Sequence, residues 1–227
     1  MVVNKKSSNA LFRREYWENF WSNNNDIDDT SKYKLLLRTD YRNKNIMELG
    51  CGDLSQSSEI ISNSRTYKGI DISKNALNLA VLSENFSNKT KLICSDILNL
   101  PIKNEIIESV ISIDTLSSLG PDFNYGFKRI LQTMTKNGVI NFNITHTDWF
   151  MSGFDYNGGN SSIINVLNGT VFKCGQKEVF TSTPNNISIG LYQMGLKPLK
   201  VNVISAFRDP YFPQSTPMSI MIRGIKK

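Results

Sequence analysis

Three acidic residues lie at the ends of short apolar segments, where their side chains can meet around one ligand. Glu48 lies in "NIMEL", Asp71 ends "TYKGID", and Asp96 ends "TKLICSD". These segments are short and rich in β-branched and aromatic residues, which predicts strands. A carboxylate accepts hydrogen bonds from a ribose diol or an amine, and it attracts a cation. The three acids therefore predict a ligand that contains a sugar, an amine and a positive charge.

The turn after the first strand has two glycines but lacks a third. Gly50 and Gly52 follow Glu48 in "ELGCG", and Ser55 stands where the dinucleotide fingerprint G-x-G-x-x-G has its last glycine. A carboxylate beside this turn is unfavourable for phosphates and favourable for a sulfonium or ammonium group. S-adenosylmethionine fits these features better than a nicotinamide dinucleotide does. The alternative is that the glycines only form a turn and that Asp71 only caps a helix.

The segments around these residues alternate between strand-like and helix-like patterns. The sequence predicts helices over 11–21 and 32–41, followed by five strands separated by helices up to residue 144. One of these helices, "FNYGFKRILQTMTKN", is predicted to end at Asn137 because Gly138 follows it. Alternating strands and helices are typical of a parallel, doubly wound sheet, in which ligands lie beyond the carboxyl ends of the strands.

The C-terminal part follows a different pattern. A helix is predicted between Pro184 and Gly195, followed by two β-rich segments over 197–207 and 216–225. Strands this close in sequence, with no helix between them, are expected to pair antiparallel. The predicted fold is therefore α/β, with a doubly wound, mostly parallel seven-stranded sheet and a C-terminal antiparallel strand.

Three motifs, in this order, resemble those of the class I S-adenosylmethionine-dependent methyltransferases. They are "ELGCG" at 48–52, "GIDIS" at 69–73 and "CSDILNLP" at 94–101, and the resemblance covers residues 45–145. It implies a Rossmann-like methyltransferase fold with S-adenosylmethionine as the cofactor. Carried over by position, it implies that the methionine end is lined by Glu48, Gly50, Cys51 and Gly52, the ribose is bound by Asp71, and the adenine is contacted by Ile72, Asp96 and Ile97.

Two further positions are judged against the same resemblance. Asp114 lies in "SIDTLSSL" (112–119), which occupies the place of the family's segment beneath the transferable methyl group, so Asp114 is a further candidate cofactor residue. Capping of the next turn is the alternative for this side chain.

Leu54 stands where many members of the family have glycine. A slightly different loop path is expected there, with the backbone still close to the ligand at Gly50 and Gly52.

Aromatic residues outside these motifs are candidates for the acceptor site. Tyr16 and Trp21 lie in the N-terminal segment, 1–44, which is predicted to form a helical lid or cap over the cofactor. Trp149 and Phe150 lie in an insertion over 145–180, within the predicted methyltransferase domain 45–227, and would form part of the substrate pocket. The alternatives are an amphipathic helix docked on the sheet and aromatic packing beneath a long loop.

Composition narrows the function classes. The net charge is +6, and residues 197–227 contain six Lys or Arg against one Asp or Glu. No basic cluster is interleaved with aromatic residues, and no N/D-P-P-Y motif follows the fourth strand, so nucleic acid is not favoured as a partner.

No run approaches the ~18 apolar residues of a membrane span. The three cysteines form no CxxC pair, which favours a reduced, cytoplasmic protein, and no metal-ligand pattern is present.

The sequence therefore predicts a cytoplasmic enzyme that transfers a methyl group from S-adenosylmethionine to a small-molecule acceptor. An RNA methyltransferase is the alternative that the basic ends favour. A catalytically inactive S-adenosylmethionine-binding protein is a second alternative, to which Leu54 lends support. A nicotinamide oxidoreductase is disfavoured by Glu48 and by the incomplete glycine fingerprint.

His146, the single histidine of the chain, follows the fifth predicted strand at the ligand edge. Histidine titrates near neutral pH, so His146 is a candidate general base for a hydroxyl, a thiol or a ring nitrogen. The alternative is a loop histidine that is hydrogen-bonded to the backbone.

If His146 is a general base, we expect His146→Ala to lower turnover by roughly 10²–10⁴ with cofactor affinity nearly constant. The acidic limb of the pH–rate profile, measured from about pH 5.5 to 9, should also disappear, because that limb reports protonation of the imidazole. An acceptor that reacts as an anion or a free amine needs no such base. Equal rates for the wild type and the variant at every pH would remove His146 from the mechanism.

Overall fold

The structure is a computed structural model that describes most of the chain. The described residues are 6–23, 41–103, 106–146, 162–166, 169–174, 177–205 and 218–227. The backbone packs as two compact units, residues 1–101 and 102–227. The helix predicted over 32–41 lies outside the described residues, apart from Tyr41.

The described residues of the first unit form three parallel strands in the order β3-β2-β1, together with three helices. The strands are β1 (Asn45–Leu49), β2 (Thr66–Asp71) and β3 (Thr90–Cys94), and the helices are α1 (Lys6–Asn23), α2 (Ser58–Asn63) and α3 (Lys74–Leu82). All three strands lie where the sequence predicts them, within two residues at each end.

The core of the first unit forms because successive residues of β1 are buried on both faces. Ile46, Met47 and Leu49 are fully buried, as is typical of a central parallel strand covered by helices. Helix α3 begins where the Ser73 hydroxyl accepts a hydrogen bond from the Ala76 N–H at 3.1 Å. The helix packs on β2 and β3. The carboxyl ends of the strands and the start of α3 are thereby held in a fixed arrangement.

Seven strands and two α-helices are formed by the residues of the second unit that the structure describes. The strands are β4 (Ile107–Ser112), β5 (Met134–His146), β6 (Ser162–Val166), β7 (Gly169–Cys174), β8 (Lys177–Ser182), β9 (Leu196–Ser205) and β10 (Met218–Lys226), and the helices are α4 (Phe123–Thr133) and α5 (Pro184–Gln193). Strands β4, β5 and β8 are parallel neighbours. Strand β10 is antiparallel to both β5 and β9. The predicted antiparallel C-terminal pair is thus confirmed.

Three strands were not predicted as such. The sequence predicts seven strands, and they correspond to β1–β5, β9 and β10. The additional strands β6, β7 and β8 form an antiparallel meander. They lie in or just beyond the insertion predicted over 145–180, for which the sequence indicated only small elements of its own.

The predicted end of α4 is wrong. The helix ends at Thr133, and β5 begins at Met134. Met134 pairs with Ile107 and Val139 pairs with Ser109, so the residues between them bulge out of the ladder. Asn137 has φ +63, so the Asn–Gly dipeptide forms the turn of this bulge. The same dipeptide serves equally well as a helix stop, and only the pairing with β4 distinguishes the two.

Membrane insertion by a helix finds no support in the described part of the chain. None of its helices combines the length with the apolar character that a bilayer crossing needs.

Aromatic stacking anchors β8 in the core of the second unit. The rings of Phe123 and Phe180 stack with centroids 4.0 Å apart and planes at 9°. Both residues are buried, and Phe127 also stacks with Phe123. Gly169 makes room for this arrangement, because a Cβ there would lie 2.5 Å from the Phe180 ring. The three additional strands are therefore part of the packed unit.

We expect Phe180→Ala to lower the free energy of unfolding by about 3–5 kcal/mol, because it removes a fully buried ring and leaves a cavity. Urea unfolding would measure it. Ile189→Ala, at a position 57% exposed on α5, is the control and should change stability by less than about 0.5 kcal/mol. Similar stabilities for the two variants would contradict the anchoring role of Phe180.

Candidate functional site

The glycine turn after β1 is held against the neighbouring strand by backbone hydrogen bonds. The N–H groups of Gly50 and Cys51 donate to the carbonyl oxygen of Ile70 at 2.7 and 3.2 Å. Gly50 and Gly52 have φ of +70 and +54, in the left-handed region that glycine adopts at little cost. Both predicted glycines are thus required by the backbone path of the turn.

Leu54 adopts the conformation that a glycine would adopt at this position. Its φ is +67 and its side chain is fully buried. The left-handed conformation costs a leucine roughly 1–2 kcal/mol, and burial of its side chain contributes roughly 1.5–3 kcal/mol. Burial therefore offsets the strain, and the backbone stays in the left-handed region without the glycine.

Glu48 is buried beneath the turn. Its side chain is fully buried, and one carboxylate oxygen accepts hydrogen bonds from the Ser57 hydroxyl at 2.8 Å and the Tyr67 hydroxyl at 2.5 Å. Burial, followed by the charge of Glu48, raises the pKa of Tyr67 well above its ordinary value, so Tyr67 remains a donor. Glu48 therefore links the glycine turn to α2 and β2 from the inside.

Asp71 lies at the end of β2 and orders the residues on either side of it. One carboxylate oxygen accepts a hydrogen bond from the Gly52 N–H at 3.0 Å, and the other accepts one from the Ser73 N–H at 2.9 Å. Burial raises the pKa of the Asp71 carboxyl against the opposing effect of these N–H groups. The Ile72 N–H is a third donor to this carboxylate, so about one of its four lone-pair sites remains for a ligand hydroxyl.

Asp96 follows β3 and is held by donors from two elements. One carboxylate oxygen accepts a hydrogen bond from the Leu98 N–H at 3.0 Å, which caps the short 3₁₀ turn Ile97–Asn99. The other forms an ion pair with the Arg13 guanidinium of α1 at 2.9 Å. The acids that follow β2 and β3 are therefore both oriented by their surroundings.

Helix α1 contacts the same edge of the first unit at two further points. A Cβ on Gly52 would lie 2.7 Å from the Trp21 ring, so that ring sits directly on the glycine turn. The Glu18 carboxylate accepts hydrogen bonds from the N–H groups of Lys74 and Asn75 and from the Ser73 hydroxyl. Burial tends to raise the pKa of Glu18, but these donors outweigh it and lower the pKa.

In the second unit, a buried asparagine forms hydrogen bonds with both the backbone and the side chain of Asp114. The Asp114 N–H donates to Asn143 Oδ1 at 2.7 Å, and Asn143 Nδ2 donates to Asp114 Oδ1 at 2.6 Å. Asp114 has φ +52, a conformation that non-glycine residues adopt mostly in turns and at functional sites. The reciprocal pair of hydrogen bonds stabilises this backbone and leaves the Asp114 side chain exposed.

The remaining candidates are placed differently. Tyr16 is 37% exposed on α1, in edge contact with the Trp17 ring. His146 is the last residue of β5, and its backbone pairs with Ser182 of β8. Trp149 and Phe150 lie outside the described residues. Among the described residues, no three His, Cys, Asp or Glu side chains lie close enough together to hold a metal ion.

Several functional candidates were missed from the sequence. Arg13 and Glu18 lie on a helix whose partners are distant in sequence, so no local pattern indicated them. Tyr67 carried no signal beyond its place in a strand. Asn143 had one available signal. It lies in "GVINFNI", which is predicted as a strand of a doubly wound sheet, and both faces of such a strand are buried.

The first unit thus combines two oriented carboxylates with a glycine turn. Asp71 and Asp96 follow adjacent parallel strands, and the turn at Gly50 and Gly52 follows the strand beside them. One carboxylate can accept a hydrogen bond from a hydroxyl, the other can accept one from an amine, and the turn allows close approach of a ligand.

Comparison with known proteins agrees with this geometry. Residues 47–142 match the family model described as a methyltransferase domain. A comparison with curated proteins finds no significant match.

Several solved structures share the fold. An S-adenosylmethionine-dependent methyltransferase of Mesorhizobium loti is 13% identical with a TM-score of 0.66, covering 88% of this chain and 99% of that chain. The 1,6-didemethyltoxoflavin-N1-methyltransferase of Burkholderia thailandensis, bound to 1,6-didemethyltoxoflavin and S-adenosylhomocysteine, is 11% identical with a TM-score of 0.71, covering 100% and 92%. The N-methyltransferase NodS of Bradyrhizobium japonicum, in complex with S-adenosylhomocysteine, is 11% identical with a TM-score of 0.67, covering 92% and 97%.

At such identities the similarity shows a shared fold. The predicted Rossmann-like, doubly wound fold with its antiparallel C-terminal strand is thereby confirmed.

We expect Tyr67→Phe to lower the free energy of unfolding by about 1.5–3 kcal/mol, because it removes a buried hydrogen bond to a charged group. Ser57→Ala removes the other donor to the same Glu48 oxygen, so a double-mutant cycle would measure the coupling between the two donors. Tyr192→Phe, at a position 59% exposed, is the control and should have little effect. A Tyr67→Phe variant as stable as this control would show that Glu48 does not depend on the Tyr67 hydroxyl.

Proposed function

We propose that the chain, whose residues 47–142 match the family model of a methyltransferase domain, is a class I S-adenosylmethionine-dependent methyltransferase that transfers the methyl group to a small-molecule acceptor. S-adenosylmethionine is the cofactor of this family. Its binding residues and the acceptor class are inferred from the contacts of individual side chains.

The observation that carries the proposal is the arrangement around Asp71. Its carboxylate is 7% exposed and is oriented by the N–H groups of Gly52 and Ser73. Burying a carboxylate is unfavourable for folding, and the raised pKa of Asp71 reports that cost. We infer that this group binds a ligand, and a ribose hydroxyl supplies a donor that Asp71 can still accept.

The other residues of the first unit fit the rest of the cofactor. We assign the adenine amine to Asp96, with Ile72 and Ile97 against the ring. Both isoleucines directly follow an oriented acid in the chain. We assign Gly50, Cys51 and Gly52, and Glu48 beside them, to the methionine end. Asp114 is kept as a candidate cofactor residue on the resemblance alone, because it lies in the segment 112–119.

When bound, the cofactor supplies a methyl group that is activated by the sulfonium. The chain's residues then bind and orient it, and α1 excludes water as part of the lid that we propose for residues 1–44. Within α1, Trp21 covers the glycine turn and Glu18 holds the helix on α3. The chemistry needs alignment of the acceptor and, for some acceptors, removal of a proton.

A small molecule is the acceptor class that the comparisons favour. The Burkholderia enzyme named above has a small heterocycle bound beside S-adenosylhomocysteine. The candidate acceptor residues Tyr16, Trp21, Trp149 and Phe150 are aromatic, as suits a planar organic acceptor. We place the reaction in the cytoplasm, since Cys51 and Cys94 are free thiols.

Calorimetry tests the cofactor site. We expect S-adenosylhomocysteine to bind far more tightly than NAD, and Asp71→Ala to weaken its binding by about 1.5–3 kcal/mol, as for a hydrogen bond to a charged group. Wild-type affinity should also fall as the pH is lowered, because protonation removes an acceptor from Asp71. With its raised pKa, this fall should begin at a higher pH than for an exposed aspartate. The affinity of Asp71→Asn should lack that dependence.

Glu59→Ala removes an exposed carboxylate from α2 and is the matched control, for which we expect wild-type affinity. Tighter binding of NAD than of S-adenosylhomocysteine would refute the cofactor assignment, and an unchanged affinity in Asp71→Ala would move the site elsewhere.

The acceptor class is tested by transfer of a labelled methyl group. The protein is incubated with methyl-labelled S-adenosylmethionine and a deproteinised cell extract, before and after ribonuclease treatment. Label in the low-molecular-mass fraction is the expected result. Label in ribonuclease-sensitive material would favour the RNA alternative, and cofactor binding without any transfer would favour a catalytically inactive protein.

A further inference from the structure

Helix α1 is held on the first unit mainly by polar contacts. Among residues 11–23, Trp21 alone is buried. The other two contacts described above come from Arg13 and Glu18. At about 100° per residue, positions 13, 18 and 21 fall within a sector of about 140°, so they form one face of the helix. That face is directed at the edge to which the cofactor is assigned.

The ion pair between Arg13 and Asp96 is nearly buried. The two side chains are 10% and 9% exposed, and the guanidinium nitrogen lies 2.9 Å from the carboxylate oxygen. The other oxygen of Asp96 accepts the Leu98 N–H. The carboxylate assigned to the adenine amine is therefore held on one side by its own turn and on the other by α1.

An adenine amine that binds Asp96 must either displace Arg13 or share the carboxylate with it. Displacement of Arg13 would leave the nearly buried Asp96 carboxylate without its ion-pair partner. The free energy lost in this way exceeds the free energy gained from one hydrogen bond between the amine and the carboxylate. Sharing is open, because two donors occupy only about half of the lone-pair sites of a carboxylate. We therefore expect Arg13 and the adenine amine to share the Asp96 carboxylate.

We propose that Arg13 is a specificity-determining residue of the adenine subsite. It stays paired with Asp96 when the base binds, and it orients the carboxylate towards a donor at the 6-position of the purine. Recognition of the base is thereby coupled to docking of α1. This inference rests on the proposed function, since it assumes that Asp96 binds the adenine amine.

The proposal predicts how well the chain distinguishes an amino from an oxo group on the purine. S-adenosylhomocysteine presents a donor at this position, and S-inosylhomocysteine presents an acceptor, which an oriented carboxylate rejects. If Arg13 sets that orientation, Arg13→Ala should weaken the binding of S-adenosylhomocysteine more than that of the inosyl compound. Coupling is reciprocal, so S-adenosylhomocysteine should also slow amide hydrogen exchange in α1.

The test is calorimetry of both compounds with the wild type and four variants. We expect the preference for the amino compound to fall about tenfold or more in Arg13→Ala. Arg13→Lys keeps the charge without the planar fork and should restore part of the preference. Glu18→Gln weakens the hold of α1 without touching Asp96, so it should lower the preference for the amino compound less than Arg13→Ala does. Glu15→Gln removes a charge from an exposed position of the same helix and should leave both affinities unchanged.

The possible outcomes separate this inference from the proposed function. Failure of the wild type to bind S-adenosylhomocysteine would refute the proposed function. If the wild type binds it and Arg13→Ala lowers both affinities equally, with faster exchange in α1, then Arg13 only holds the helix and the inference is wrong. Tighter binding of S-adenosylhomocysteine to Arg13→Ala would show that Arg13 competes with the base, which also overturns sharing. The partial rescue by Arg13→Lys guards against a variant that merely folds poorly.

Discussion

The buried carboxylate of Asp71 is the constraint on which the candidate site depends. It joins the glycine turn after β1 to the start of α3, because its two oxygens accept the N–H groups of Gly52 and Ser73. Neither N–H has a regular strand or helix partner at that point, so the carboxylate completes their hydrogen bonding. Replacing it with an apolar group would leave both donors unsatisfied. The same side chain thus stabilises the local backbone and presents acceptors to a ligand.

The raised pKa of Asp71 shows that burial of this carboxylate is unfavourable for folding. Desolvation disfavours the charged form, so the folded protein is less stable with Asp71 ionised than it would be with the same charge in water. By the sign of that shift, this unfavourable contribution is absent below the unfolded pKa and grows as the pH rises through the folded pKa. Glu18 has the opposite shift. Its favourable contribution is present above the unfolded pKa and is lost as the pH falls through the folded one. Acidification therefore weakens the contact between α1 and α3.

Predicting the fold from the sequence succeeded where local signals and long-range pairing agreed. The apolar segments of β1 and β2 have the predicted bounds, and α5 begins at Pro184 as predicted. The prediction failed at Asn137 because Asn–Gly is favourable both after a helix and in a bulge, and the pairing of β5 with β4 decided between them. It was incomplete over the insertion, where β8 is stabilised by the stacking of Phe180 on Phe123, a contact between distant segments.

The sequence by itself determined the α/β class, the glycine turn and the three acids, because these depend on periodicity and on local chemistry that neighbouring residues carry. Only the tertiary structure decided what each acid does. Glu48 is fully buried and accepts a hydrogen bond from Tyr67. Asp71 is oriented by backbone donors, and Asp96 is paired with Arg13 of α1. The sequence shows only that an acid lies at or near the end of each strand. Its burial and its partners come from residues far away in the chain, and these are set only when the elements pack together.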